Sequence, residues 1–262
     1  LNVIYMYCFS NKDSVNELRD QLKLLVTTVP LHKGQEGTAT DAHHWHDMSE
    51  KLLKERDEEF AIALTNQLIA ASKDGLNHGD IWSYTKPLML SLMSDYGCAI
   101  WPIFGDAIVR AEGMERYWLQ QLLDRETGLV ANVPSVLSVI PVESVIEWCL
   151  KQPNLGPVFV ARCLNVIETV DEKQQPSALF IALVENFGSD QRVASELSAN
   201  MGTRGWSGSL VPYLESDKSA LSPLIEHENS NVRRWVKDHI EYIGRQITEE
   251  SKRDEEHGFG LY

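Results

Sequence analysis

A cluster of histidines beside an aspartate has the clearest potential for chemistry in this chain. The stretch DAHHWHDMSE places His43, His44, His46 and Asp47 around Trp45. Imidazole nitrogens and carboxylate oxygens are ligands for zinc and similar ions. In a helix His44 and His46 would point apart, whereas an extended loop would let them converge. A metal-dependent helical hydrolase that uses the His43–Asp47 cluster is therefore one functional hypothesis.

The second interpretation of this cluster is structural. The segment Leu31–Asp47 contains two glycines and is predicted as a loop, in which Trp45 packs inward and Asp47 or Ser49 caps the next helix. A metal site also needs ligands from a second rigid element, and the sequence indicates none. We therefore predict no metal ligand, no cofactor and no catalytic residue. Whether the chain is an enzyme stays uncertain, and any catalytic domain would lie upstream.

A glycine-rich loop is the second group of interest. Between Met201 and Ser209, three glycines surround Arg204 and Trp206. The loop lacks the lysine and the preceding strand of a phosphate-binding loop, and its spacing differs from the nucleophile elbow G-x-S-x-G. The favoured interpretation is a connecting loop whose Trp206 plugs a groove between helices. The alternative is contact with a partner, and Arg204, Trp206 and Tyr213 are the predicted partner-binding residues.

Charge restricts the class of partner. Lys and Arg total 24 and Asp and Glu total 38, so the formal net charge is −14. A surface this acidic repels nucleic-acid phosphates and anionic membranes unless a basic patch overrides it, and the basic residues are dispersed. The acidic run KERDEE is predicted to be a solvated helix face. We therefore expect a protein partner, with nucleic acid disfavoured and no membrane.

Cysteine usage and the start of the chain bear on location. Each cysteine lies in an apolar run with no close second cysteine, which is typical of reduced, buried thiols in a cytoplasmic protein; these are Cys8, Cys98, Cys149 and Cys163. No segment is a good membrane span, because the longest uncharged run, Thr127–Val142, is short and contains two prolines. The opening LNVIYMYCFS is not a recognisable signal peptide. We interpret Leu1 as the start of a fragment of a longer chain.

The elements that must position these residues are predicted to be helices. Apolar periodicity and turn signals predict helices of about 10 to 20 residues joined by short turns, hence an all-α fold. Leu1–Phe9 and Leu129–Ile140 are the only plausible strands, and proline argues against the second. The predicted helices are Asp13–Val29, Ser49–Lys73, Ile81–Tyr96, Ala99–Ala111, Glu115–Leu123, Pro134–Ile140, Val142–Lys151, Pro157–Val170, Ser177–Phe187, Ser189–Met201 and Leu210–Ile225.

The last predicted helix has the clearest pattern. A polar, Asn-rich turn precedes Val232-Arg233, and apolar residues then recur at helical spacing, whereas Arg233, Lys237, Asp238 and Glu241 face away. The apolar stripe consists of Val232, Trp235, Val236, Ile240, Ile243 and Ile247. Trp118 and Trp148 are likewise predicted to lie in the core.

A helix, a short Asn-containing turn and a helix that opens with Val-Arg are typical of one unit of an α-solenoid. We therefore predict one helical repeat-like domain over residues 1–262, built from HEAT-like helix pairs, with 201–262 as its most HEAT-like portion. Turn spacings are loosely compatible with about 40 residues. A compact, non-repeating helical domain is the alternative fold.

The C-terminal run also carries a family resemblance. GWSGSLVPYLE, the spacer to LIEHENSNVRRWVKDHIEYI and the charged close SKRDEE resemble the HEAT-like C-terminal region of large bacterial multidomain proteins of the STAND or anti-phage defence type. In many such proteins an NTPase or other effector is joined to a helical array that senses foreign protein. The resemblance implies a non-catalytic recognition or scaffold module, with oligomerisation possible through the parent protein.

Overall fold

The structure, a computed structural model, is predominantly helical. It describes residues 18–28, 38–53, 57–74, 85–123, 135–202 and 206–258. Of these residues 82% are helical, in 11 α-helices and two short 3₁₀ turns, with one two-stranded sheet. The prediction of a mostly helical protein is therefore confirmed. The proposed strand Leu1–Phe9 lies outside the described residues, as do Cys8 and residues 54–56 of the acidic run.

The elements follow in this order. In the first part of the chain they are α1 (Arg19–Thr28), α2 (Thr38–Leu53), α3 (Glu58–Asp74), α4 (Lys86–Arg110), α5 (Gly113–Leu123), the 3₁₀ helix η1 (Val136–Val139) and α6 (Val142–Lys151). In the second part they are α7 (Gly156–Cys163), β1 (Ile167–Val170), β2 (Lys173–Pro176), α8 (Ala178–Phe187), α9 (Gln191–Gly202), α10 (Val211–Leu221), the 3₁₀ helix η2 (Ser222–Glu226) and α11 (Ser230–Gly258).

The described residues group into two compact units, and the division falls within α6, between Trp148 and Cys149. The first unit contains α1 to α5, η1 and the start of α6. The second contains the elements from α7 to α11. The prediction of one repeat-like domain over residues 1–262 stays a prediction.

The first unit is built around α4. This helix contacts α2, α3, α5 and η1, and its Trp101 and Phe104 are fully buried. Trp148 packs edge-on to Trp101 and donates its Nε1 hydrogen to Asp106 Oδ1 at 2.9 Å. It also lies so close to Gly105 that a Cβ there would approach the indole Cε2 at 2.7 Å. Trp148 and Trp118 are thus core residues, as predicted.

A kink divides α4 where the sequence predicted two helices. Tyr96 has φ −130° and ψ 17°, outside the helical region. Its hydroxyl donates to Leu53 O at 3.3 Å and accepts from Asp57 N at 3.0 Å, so it bridges the end of α2 and the start of α3. Asp57 then caps α3 by accepting from Phe60 N at 3.0 Å.

Helix α4 also passes a length and composition test for a membrane span. Its most apolar window has a mean hydropathy of 1.2, although the sequence had indicated no good span. However, 56% of that window is buried inside the protein, and the core helix of a globular domain passes the same test.

In the second unit α8 and α11 contact each other, and each also packs against neighbouring helices. Helix α7 packs against α8 and α9, and α10 packs against α11, η2 and β2. The stripe predicted for the last helix is confirmed at its centre, because Val232, Trp235, Val236 and Ile243 are all buried. The strongly charged end of α11 is largely exposed.

The same helix start occurs twice in this unit. Asp190 Oδ1 accepts from Arg192 N at 2.9 Å at the start of α9. Asn229, 39 residues later, accepts from Asn231 N at 2.8 Å through Oδ1 at the start of α11. Buried side chains follow at the same interval: Val193, Leu197 and Asn200 in α9, and Val232, Val236 and His239 in α11. The segment GSDQRV predicts Ser189 or Asp190 as the cap of α9, and Asp190 is the residue that accepts the bond.

Four predicted elements are wrong in their bounds or type. Leu31–Asp47 is not a loop throughout, because α2 begins at Thr38, and Ser49–Lys73 is two helices separated before Glu58. Pro157–Val170 ends as a helix at Cys163 and continues into the β1–β2 hairpin. Of Pro134–Ile140, residues 136–139 form a 3₁₀ turn.

The cysteine prediction holds for two of the three described thiols. Cys149 and Cys163 are buried, whereas Cys98 is exposed. Cys98 Sγ accepts a hydrogen bond from Ser144 Oγ at 3.2 Å.

Candidate functional site

The histidine cluster lies on α2, which exposes His43 and buries His46. Trp45 is buried and donates to Val26 O at 2.9 Å, so the structural interpretation of this residue is confirmed. His46 is also buried, with Nε2 2.8 Å from Thr85 Oγ1. Burial first, and nearby His43 second, lower the pKa of His46 to about 3. Asp47 pairs with Lys51 at 2.8 Å.

This geometry bears on the hydrolase hypothesis. His43 is exposed and His46 faces inward. Within the described ranges, no three His, Cys, Asp or Glu side chains are placed to hold a metal ion. The cluster is therefore part of a helix that packs against its neighbours through Trp45 and His46.

The predicted partner-binding residues do not form one site in the structure. Arg204 lies outside the described residues. Trp206 is 51% exposed, so its ring does not plug a groove between helices, contrary to the favoured interpretation of the loop. Tyr213 is exposed in the first turn of α10. Partner contact by these residues stays a prediction.

A concave site lies instead in a groove between α9 and α11, which we call the α9–α11 groove. Its volume is about 520 Å³, within the usual size range of ligand sites. Each helix contributes one stripe of side chains at helical spacing. The lining residues are Gly188; Gln191, Ala194, Ser195, Ser198 and Ala199 from α9; and Arg234, Trp235, Asp238, His239 and Tyr242 from α11.

The two walls of the groove differ in chemistry. The α9 wall carries small side chains, and Ser198 turns its hydroxyl back to Ala194 O at 3.1 Å. The α11 wall is aromatic and polar. There the Trp235 and His239 rings stack with centroids 4.6 Å apart and planes 11° apart. The groove is open to solvent, because Ser195 and Tyr242 are exposed.

The aromatic wall is fixed from behind. Trp235 is 6% exposed, packs edge-on to Phe180 of α8, and donates its Nε1 hydrogen to Ala194 O at 3.2 Å. That last bond joins the α11 wall directly to the α9 wall. The ring is therefore held by contacts on two helices before any ligand arrives, which lowers the entropic cost of binding.

Helix α9 is also held in position at both ends. Asn200 Nδ2 is within 2.8–3.0 Å of three carbonyl oxygens at the end of α7, those of Ala161, Arg162 and Leu164. Glu196 accepts hydrogen bonds from Nε and Nη2 of Arg162, and this hydrogen bonding is the main cause that lowers the Glu196 pKa. At the other end Arg192 Nη1 donates to Asn154 O at 3.2 Å, and the hydrogen bond from Arg192 lowers the Asp190 pKa. The small-residue wall thus lies on a well-anchored helix.

Arg234 closes the groove at the start of α11. Its Nη2 donates to Gly188 O at 2.9 Å and lies 3.3 Å from Asn231 Oδ1. Gly188 is required here, because a Cβ would overlap its own helix and meet Asn231 Cβ at 2.9 Å. The guanidinium therefore serves first to join the end of α8 to the start of α11.

Sequence reasoning missed most of this groove. The periodicity of α11 predicted that Trp235 faces inward, but it placed Asp238 among the charged residues that face away from the core. The Ala and Ser stripe of α9 has no sequence signal of its own, because small residues are common on any helix. Only the packing of α9 beside α11 brings the two stripes together.

No family model, curated protein or solved structure matches this chain.

Proposed function

We propose that this chain is a non-catalytic protein-recognition module and that the α9–α11 groove holds a segment of its protein partner. The observation that carries the proposal is the pairing of a small-residue wall with a preorganised aromatic wall in one open groove. Small side chains let a partner backbone approach closely, and the accessible Tyr242 ring beside His239 provides an aromatic anchor of the kind that dominates interfaces.

The polar groups in the groove favour a binding role over a hydrolytic one. The Ser198 hydroxyl donates to its own helix, and His239 stacks on Trp235. A nucleophile for acyl transfer needs a base within hydrogen-bond reach, oriented by a third group. Hydroxyl, guanidinium and carboxylate groups spaced along an apolar groove instead resemble the few polar contacts that orient a ligand.

The proposed architecture is a HEAT-like α-solenoid segment formed by the helix pairs α8–α9 and α10–α11. Its support is the helix start repeated at an interval of 39 residues, at Asp190 and Asn229, with buried residues at matching positions behind each cap. Repeat units of this kind bury their cores by stacking on neighbours and leave one row of helices for a partner. The wider role, as the sensor region of a cytoplasmic bacterial defence protein, rests on the family resemblance alone.

A peptide-display selection tests the recognition function with random peptides in place of a chosen partner. The peptides are selected on the immobilised chain, and the affinities of the enriched peptides are measured for two variants. Ser195→Tyr fills the groove, and Ser219→Tyr adds the same side chain at an exposed serine of α10 that does not line it.

We expect enriched peptides to lose at least about tenfold in affinity for Ser195→Tyr, because about 1.4 kcal/mol of lost contact suffices, and to bind Ser219→Tyr normally. Equal affinities for the two variants would contradict the proposal. So would a selection that enriches no peptide over the bare support.

A further inference from the structure

The groove contains one carboxylate that the protein does not itself neutralise. Asp238 lies on the α11 wall and is exposed. In the described part of the chain no hydrogen bond or ion pair to its carboxylate is observed, although Arg234 lies one turn before it on the same helix. Two other carboxylates of the same unit are paired, Glu196 with Arg162 and Glu241 with Arg245.

Tyr242 stands one turn beyond this carboxylate on the same face of α11, since residues four apart are neighbours on a helix. Its side chain is 45% exposed, and its ring lies 5.8 Å from that of His239. His239 in turn stacks on Trp235. A ligand group beside Asp238 would therefore meet a carboxylate and the accessible face of an aromatic ring. Cations are the groups attracted to both.

The other charges around the groove do not neutralise Asp238, so they leave the preference for a cation in place. Arg234, the one cation among the described residues that line the groove, donates to Gly188 O and approaches Asn231 Oδ1, which holds it at the N-terminal end. Lys237 is exposed but does not line the groove. The whole chain carries a net charge of −14, so its long-range field attracts a basic segment.

We propose that the α9–α11 groove selects a basic partner segment, seating one lysine or arginine side chain between the Asp238 carboxylate and the Tyr242 ring. The aliphatic stem of that side chain lies along Ala194, Ser195 and Ala199, where no large side chain obstructs it. This inference rests on the proposed function, and it adds the chemical class of the segment that the groove takes.

Two synthetic peptides test the charge preference directly. Both are hexapeptides with blocked ends. One alternates leucine with arginine, and in the other citrulline, a neutral isostere, replaces each arginine. Their dissociation constants are measured by isothermal titration calorimetry at physiological ionic strength, where attraction to distant surface charges is largely screened.

Three variants separate the groove from the general acidity of the chain. Asp238→Asn removes the proposed counter-ion, and Asp238→Glu restores the charge. Glu255→Gln, at an exposed position of α11 outside the groove, changes the net charge by the same amount as Asp238→Asn. In addition, Ser195→Tyr reports whether a peptide occupies the groove.

We expect the arginine peptide to bind the unmodified chain about tenfold more tightly than the citrulline peptide, the ratio that one charge-assisted contact provides. Asp238→Asn should abolish this ratio, while Asp238→Glu and Glu255→Gln should retain most of it. Tyr242→Leu should reduce it by about threefold, as expected for an exposed cation–π contact.

Equal binding of the two peptides, with both lost in Ser195→Tyr, would overturn the charge preference and leave the recognition function standing. An equal loss of the ratio in Asp238→Asn and Glu255→Gln would also overturn it, because the effect would then be general electrostatics. If neither peptide binds while display-selected neutral peptides occupy the groove, the inference is wrong. If no peptide of either source occupies the groove, the proposed function fails as well.

Discussion

Acidification should destabilise the first unit through His46. This effect distinguishes a histidine buried in the core from a solvent-accessible histidine that could bind a metal ion. The imidazole is 3% exposed, with Nε2 2.8 Å from Thr85 Oγ1. Its pKa is about 3 in the folded protein, against 6.5 for an unperturbed histidine. Between these two values the unfolded chain holds a proton that the folded chain does not.

The sign and size of the effect follow from proton linkage. The unfolded state binds more protons below pH 6.5, so folding stability is complete above that pH and declines as the pH falls toward 3. At about pH 5 the unfolded state has gained about 2 kcal/mol from protonating this one imidazole. Asp57 adds a separate loss at lower pH, because the hydrogen bond from Lys23 lowers its pKa below 3.8.

The assay compares the unmodified chain with His46→Gln, which retains a hydrogen-bonding group for Thr85 but does not titrate. Urea unfolding of both is measured at neutral pH and at about pH 5, and the quantity of interest is the change in unfolding free energy between the two pH values. Any constant cost of the substitution cancels in this difference. The unmodified chain should lose about 2 kcal/mol more than the variant.

An equal loss in both proteins would refute the reasoning. Histidine NMR signals supply an independent check, because the His46 ring should show no titration between pH 8 and about 5. A titration midpoint near 6.5 would place the imidazole in contact with water and return the His43–Asp47 cluster to consideration as a ligand set.

Four further substitutions test the packing of the second unit and its hairpin turn. Trp235→Ala should destabilise the second unit by about 3–5 kcal/mol in urea unfolding, because it empties a buried aromatic site. The exposed Trp206 is the control, and Trp206→Ala should change stability by less than about 0.5 kcal/mol. Similar losses in the two variants would contradict the burial of Trp235 and the exposure of Trp206. Asn200→Ala should cost about 2 kcal/mol, because it removes the donor shared by three carbonyls at the end of α7; hydrogen exchange in α7 unchanged from the unmodified chain would argue against this. Glu172→Gly should raise stability by about 0.5–1 kcal/mol. Asp171 and Glu172 both have positive φ (48° and 64°), and they form a two-residue hairpin turn whose second position prefers glycine. A loss of stability in urea unfolding would show that the turn is not strained.

The sequence predicted the last helix well because its apolar residues recur at one regular helical spacing. Val232, Trp235 and Val236 are apolar at helical spacing, follow an Asn-rich cap and face a buried surface, so local pattern and tertiary packing agree. The predicted break between Tyr96 and Ala99 also corresponds to the kink at Tyr96. In both cases the determining residues are close together in the chain.

The errors arose where tertiary contacts decide between local alternatives. Polar and histidine-rich residues before Ser49 predicted a loop, but Trp45 and His46 have buried partners on α1 and beside α4, which favour a helix. The segment after Cys163 lacks a glycine to end the helix. There the β-branched residues of β1 pair with β2 across a turn of Asp171 and Glu172, a pair that sequence rules do not associate with this turn.

The candidate groove could not be predicted from the sequence, for a reason different from the errors in the helix bounds. Its walls come from two helices whose lining residues are about 40 positions apart, and neither stripe is unusual alone. The sequence does not show that Asp190 and Asn229 are equivalent caps. The equivalence follows from their hydrogen bonds, because each side chain accepts from the backbone N–H two residues later. Glycine-rich segments and histidine clusters attract more notice in a sequence, yet Trp206 lies outside this groove.

The most direct test of the central claim is to map where a display-selected peptide contacts the protein, using amide chemical-shift changes in the labelled chain. We predict that the largest changes follow the two lining stripes, from Gln191 to Ala199 on α9 and from Arg234 to Tyr242 on α11. Changes centred instead on Trp206 and Tyr213, with the groove amides unaffected, would contradict the claim that the groove is the recognition site.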